Sequence, residues 1–115
     1  HTVDNGVIKH LKPEIDRKDW DLIIAHFLGV DHVGHRFGPF NPAMKSKLIQ
    51  MNFVLEDLVK EMDMKDMQDT ILLVFGDHGM TDDGNHGGAT KDEVGAALFA
   101  YSPSPILGTA NNIGK

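Results

Sequence analysis

The chain has 115 residues, a net charge of −6 with histidine neutral, 41% apolar and 24% charged residues, and no cysteine. Such values suit one globular domain or a part of one. The acidic balance argues against a nucleic-acid backbone as partner, and the lack of thiols leaves His, Asp, Glu and hydroxyl groups as the available metal ligands.

No apolar run reaches the roughly 18–20 residues that span a bilayer, and no basic-then-apolar signal peptide opens the chain. The non-Met start and the loop-like stretch 110–115 read as those of an internal piece of a longer polypeptide.

In chain order, Val3, Val7, Ile8 and Leu11 are spaced like one face of a short helix, which Pro13 ends or turns. The run Asp21-Leu22-Ile23-Ile24-Ala25-His26-Phe27 has the length and apolarity of a strand buried on both faces, the parallel-sheet pattern. Trp20 anchors its entry. A glycine-rich loop follows from Gly29 to Asn41. Asn41 then N-caps a helix with Pro42 at its first position. Met44, Leu48, Met51, Leu55, Leu58 and Met62 recur at steps of 4, 3, 4, 3 and 4, which gives an amphipathic helix. Its methionine-rich face is core packing. Residues 70–76 are a second buried strand, residues 77–92 a second loop in which Asp82 and Asp83 are turn residues, and Val94–Tyr101 a third strand ended by Ser102-Pro103-Ser104-Pro105.

Strand, loop, helix and strand make a βαβ unit, so the expected class is α/β with a parallel sheet. Both loops would then leave the C-terminal ends of parallel strands, where open α/β sheets bind ligands.

Four of the seven histidines fall in these loops, in Asp31-His32-Val33-Gly34-His35, Asp77-His78-Gly79 and Asn85-His86-Gly87-Gly88. Asp31 and His35 are four apart, so one helical turn would point both the same way. Adjacent Asp77 and His78 could serve a metal pair, and such pairs clamp the attacking and leaving oxygens of an in-line displacement. A single Asp-His loop is more often a hydrogen-bonded turn. Two of them at neighbouring strand ends favour a divalent-metal site. His32 either supports the ligands, faces substrate or is structural. His26, within the predicted strand, is a hydrogen-bonded core histidine or lies behind a ligand.

Asp31-x-x-Gly34-His35-x-x-Gly38-Pro39 and Gly76-Asp77-His78-Gly79-Met80 resemble the metal motifs of the alkaline phosphatase superfamily. Residues 25–32, residues 76–81, Asn85-His86-Gly87-Gly88 and residues 93–103 resemble the GPI ethanolamine phosphate transferase family within it. The resemblance implies an alkaline-phosphatase-like sandwich domain, of which residues 1–115 are the C-terminal metal-binding part. It implies two zinc-type ions, one on Asp31, His35 and His86, the other on Asp77 and His78. An upstream Asp and a nucleophilic Thr complete the second site. Thr2 and Thr81 lack the strand-to-helix context for that Thr, which puts stand-alone activity of this piece in doubt.

The implied reaction moves phosphoethanolamine from phosphatidylethanolamine to a mannose hydroxyl, the third mannose, of the GPI-anchor precursor. The implied setting is the luminal side of an endoplasmic-reticulum membrane protein with a small stabilising membrane subunit. Alternatives are a phosphodiesterase, nucleotide pyrophosphatase or sulfatase that releases product to water, and a non-catalytic member that scaffolds a partner.

Overall fold

A computed structural model describes residues 2–108; the stretch 110–115, predicted as loop, lies outside the described residues. The elements in chain order are α1 (Thr2–Arg17), α2 (Gly29–Phe37), α3 (Pro42–Met64), β1 (Leu72–Phe75), α4 (Lys91–Val94), β2 (Leu98–Tyr101) and a 3-10 turn at Pro105–Leu107. The architecture is mixed α/β with a two-stranded antiparallel sheet.

The helix predicted from residue spacing forms as α3. Pro42 sits in its first turn, and the Asn41 side chain accepts from the Ala43 N–H at 2.9 Å. Met44 and Met62 are the buried hydrophobic side chains among the described residues, whereas Leu48 on the same stripe is half exposed. α1 is longer than predicted and runs through Pro13 to Arg17. Proline removes one N–H bond, but ion pairs on either side of it tie the helix to α3 and its C-cap: Lys12 pairs with Glu61 at 3.3 Å, and Asp16 pairs with Lys65. The Trp20 indole N–H donates to the Ile15 carbonyl at 3.2 Å, using an acceptor that the helix end leaves open.

Three expectations are corrected. Residues 21–27 carry no strand: the run has no regular structure and no ladder partner among the described residues, and Leu22 and Ile24 are 75% and 82% exposed. Apolarity marks a segment fit for burial, but a strand also needs a neighbour to receive its N–H and C=O groups. The predicted loop from Gly29 is helical as far as Phe37. The third strand is shorter than predicted, since Lys91–Val94 is a helical turn and only Leu98–Tyr101 pairs.

That pairing is antiparallel, with Leu72 opposite Tyr101 and Phe75 opposite Leu98. β1 and β2 are therefore the legs of a long hairpin, whose connection over residues 76–97 carries Asp77, His78 and His86. α2 packs on α3, and the buried charged side chains among the described residues, Asp4 and Lys47, form an ion pair where α1, α2 and α3 meet. No helix among the described residues is long and apolar enough to cross a membrane.

Candidate metal centre

α2 supplies two of the acidic and imidazole groups. Asp31 and His35 lie one turn apart on it, and the His35 Nε2 comes within 3.3 Å of the Asp31 Oδ1. Gly38 ends the helix at φ +80°, a conformation open to glycine, and its N–H returns to the Gly34 carbonyl at 2.8 Å.

The hairpin connection brings the third group. It crosses α2 at Gly84, which adopts φ +83° and lies so close that a Cβ there would stand 2.4 Å from the Gly34 carbonyl oxygen. The Thr81 hydroxyl accepts from the Asn85 N–H at 3.1 Å and donates to Asp83, so the turn just before His86 is tied to itself. Asp82 and Asp83 lie in that turn, as predicted. The hydrogen bonds from Thr81 and Asn85 hold the Asp83 carboxyl below the usual carboxylate range.

Beyond His86, Thr90 and Glu93 form a capping box at α4, and Glu93 also accepts from the Gly88 N–H at 2.8 Å. Bonds from the Thr90 hydroxyl and then from the Gly88 and Thr90 N–H groups keep Glu93 ionised at a lower pH than usual. At the base of the loop, the Gly79 N–H donates to the Glu93 carbonyl at 2.7 Å.

These restraints place His86 Nε2 3.2 Å from the Asp31 Oδ1. Asp31, His35 and His86 thus offer three ligand atoms that lie within 4.8 Å of one another. His78 borders them: its ring stacks on His86 with centroids 3.7 Å apart, and its Nε2 is 3.9 Å from the Asp31 Oδ1. The His78 Nδ1 lies 2.7 Å from the Gly79 carbonyl, which can only accept. A proton therefore sits on Nδ1, and the Nε2 side of the ring faces the cluster. Asp77 is mostly exposed, and its Oδ1 is 3.7 Å from the His78 Nε2.

The donor set fits a divalent ion. The Asp31 Oδ1 is buried and receives no hydrogen bond, although two imidazole nitrogens stand 3.2 and 3.3 Å away. A buried carboxylate oxygen without a donor calls for a partner. Two ligand atoms on a tetrahedral zinc, each at about 2.0–2.1 Å, are about 3.3 Å apart, which is the spacing found at Asp31. A site with three protein ligands also keeps a fourth position for water or substrate.

The five predicted ligands are therefore neighbours, with Asp31, His35 and His86 the tightest group and Asp77 at its edge. The other two named histidines lie elsewhere in character. His32 is exposed on α2. His26 is also exposed rather than buried in a sheet, because its segment lacks strand partners; it lines a cleft with Val7, His10, Leu11 and Glu14 of α1. Asp4, Lys47 and Glu93 escaped notice as supporting residues. Thr90-Lys91-Asp92-Glu93 has the capping-box pattern and was legible as such. Asp4 and Lys47 are 43 positions apart and carry no local signal.

Comparisons with known proteins give the family. GPI ethanolamine phosphate transferase 3, catalytic subunit, of Mus musculus is 53% identical over 107 residues, which is 93% of this chain and 9% of that protein. Its Homo sapiens counterpart is 53% identical over 106 residues, 92% of this chain and 9% of that protein. GPI ethanolamine phosphate transferase 3 of Schizosaccharomyces pombe is 45% identical over 115 residues, 100% of this chain and 12% of that protein. The chain thus spans about a tenth of the length of these relatives. No solved structure matches it significantly. The profile of the type I phosphodiesterase / nucleotide pyrophosphatase family matches residues 1–92, and the chain belongs to that family.

Proposed function

We propose that this chain is the metal-holding part of the catalytic domain of a GPI ethanolamine phosphate transferase. The observation that carries the reading is the convergence of Asp31, His35 and His86, with an undonated Asp31 Oδ1 between the two imidazoles. The names of the relatives supply the substrate class.

In this reading Asp31, His35 and His86 hold one zinc-type ion and Asp77 and His78 contribute to a second. The ions supply positive charge for the phosphoryl oxygens of the substrate. The chain's own residues do the positioning. α2 presents Asp31 and His35 as one rigid unit, and the Gly84 crossing holds His86 against them. The Gly79 carbonyl keeps the His78 proton on Nδ1, so that Nε2 stays a lone-pair donor.

The proposal extends to the parent protein. A threonine hydroxyl outside this chain would attack the phosphorus of phosphatidylethanolamine, expelling diacylglycerol, which takes up the proton; a mannose hydroxyl of the GPI precursor, that of the third mannose, would then attack the threonine ester, and the freed threonine regains its proton. This chain alone would be inactive. The parallel sheet of an alkaline-phosphatase-like sandwich would form when the exposed run 21–27 and the exposed Leu73 and Phe75 of β1 find neighbours in the longer polypeptide. Residues 1–115 would be the C-terminal metal-binding part of that domain. The same reading would put the parent protein in the endoplasmic-reticulum membrane, catalytic side luminal, with a small membrane subunit.

A phosphodiesterase that releases product to water is the second reading, favoured by the family description itself. Full-length protein given head-group-labelled phosphatidylethanolamine distinguishes them. Transfer of label only when a mannose-terminated GPI precursor is added is the expected result. Release of free phosphoethanolamine at the same rate with and without acceptor would overturn the transferase reading.

A further inference from the structure

α2 starts without a cap of its own. The residue before it, Leu28, has no side chain able to accept, and no local side chain bonds the first N–H groups. Asp4 of α1 does so from 25 positions away: its Oδ1 accepts from both the Leu28 and Gly29 N–H groups, each at 3.1 Å. Its Oδ2 accepts from the Lys47 Nζ at 2.7 Å, and Lys47, on α3, also donates to Gln50 at 2.8 Å. Asp4 is fully buried and Lys47 is 8% exposed. Gly29 is packed against the pair, since a Cβ there would lie 2.0 Å from the Asp4 Oδ2 and 2.4 Å from the Lys47 Cε. Asp31 is two residues further along the same helical turn.

We infer that the Asp4–Lys47 pair is a positioning device for the metal centre, fixing the start of α2 and so the placement of Asp31 and His35 relative to His86. The inference rests on the metal-site reading but not on the transferase reading. Asp4 and Lys47 touch neither ion nor substrate; they act through the backbone of α2. The negative carboxylate also opposes the positive end of the helix, while Lys47 balances its charge within the core. A pair that served folding alone would support α2 without affecting how well the folded protein holds metal.

The test uses the full-length protein, with zinc affinity read by competition against a chromophoric chelator, and melting of metal-stripped protein followed in parallel. Asp4→Ala and Gly29→Ala should weaken zinc binding about 10–100-fold at temperatures where the stripped protein is still folded, the size seen for groups that orient metal ligands. Gly6→Ala, on α1 with no atom near its added methyl group, should leave affinity unchanged. The Asp4→Asn/Lys47→Gln pair, in which a neutral amide still accepts at α2, should recover affinity near that of the unaltered protein. If Asp4→Ala does not fold, Gly29→Ala and the amide pair decide.

Lowered melting with unaltered zinc affinity in Gly29→Ala and Asp4→Ala would overturn the inference, as would failure of the amide pair to recover affinity. Unaltered protein that holds no zinc would overturn the metal centre and this inference together. Zinc binding without transfer activity would overturn the transferase reading alone.

Discussion

Replacing Gly84 by alanine tests how the hairpin connection is held on α2. Gly84 has φ +83°, and the added Cβ would stand 2.4 Å from the Gly34 carbonyl oxygen and 3.2 Å from its carbon. A left-handed conformation costs an L-residue about 1–2 kcal/mol, and forcing a methyl group into occupied space costs about 1–3 kcal/mol more. The carbonyl belongs to α2 and accepts from the Gly38 N–H, so the loop is the part that yields. Moving it by about 1 Å, enough to restore ordinary contact, takes His86 out of reach of Asp31. Each 1.4 kcal/mol needed to reseat the loop weakens binding tenfold, so Gly84→Ala should lose at least 10-fold in zinc affinity and about 2–5 kcal/mol of stability. Gly108→Ala is the control, because Gly108 also has positive φ but no atom within contact of an added methyl. Chelator competition and thermal melting on both variants give the answer. Equal zinc affinity in Gly84→Ala and Gly108→Ala would refute the reasoning.

At Gly79 an added Cβ would stand 2.0 Å from the Asp92 carbonyl oxygen and 2.4 Å from that of Gly95, both backbone atoms. Gly79→Ala should therefore break the bond to the Glu93 carbonyl and displace His78, destabilising by about 1–3 kcal/mol in a melting experiment. Asp4 gives a pH dependence. Burial opposes its ionisation, but the hydrogen bond and charge of Lys47 and the Gly29 and Leu28 N–H groups outweigh it and lower its pKa. A carboxyl with a depressed folded pKa contributes stability above its unfolded value, about 3.9, and loses it as pH falls through the folded one. Melting temperature should thus drop more steeply below about pH 4 in the unaltered protein than in Asp4→Asn/Lys47→Gln.

The pairing of Asp31 with His35, and α3, were legible in the sequence because each depends on local spacing, whereas His86 was joined to them only by the family resemblance. Asp31 and His35 need only a helical turn, and the periodic Met and Leu residues need only a helix and a cap at Asn41. α2 itself was hidden by its glycines. Gly29 and Gly34 read as loop residues, yet they are helical and small because Asp4, Lys47 and the Met80 side chain occupy the space beside them. Among the glycines of that segment, only Gly38 has positive φ. Pairing direction was equally hidden. An apolar run such as residues 72–75 marks a strand, not which way its neighbour runs nor whether it is covered: Leu73 and Phe75 are exposed rather than buried as expected, and β2 returns antiparallel after a connection folded by Thr81, Asn85 and Glu93. The run 21–27 shows the same limit, with strand composition but no ladder. Asp4 and Lys47 meet through tertiary packing, which no local pattern announces.

Metal analysis of the full-length protein beside its His86→Ala variant tests the central claim most directly. The account predicts about two divalent ions per chain in the unaltered protein and loss of one with His86→Ala, because Asp31 and His35 alone leave too few ligands for a tightly held ion. The same metal content in both proteins would contradict the assignment of Asp31, His35 and His86 as a metal centre.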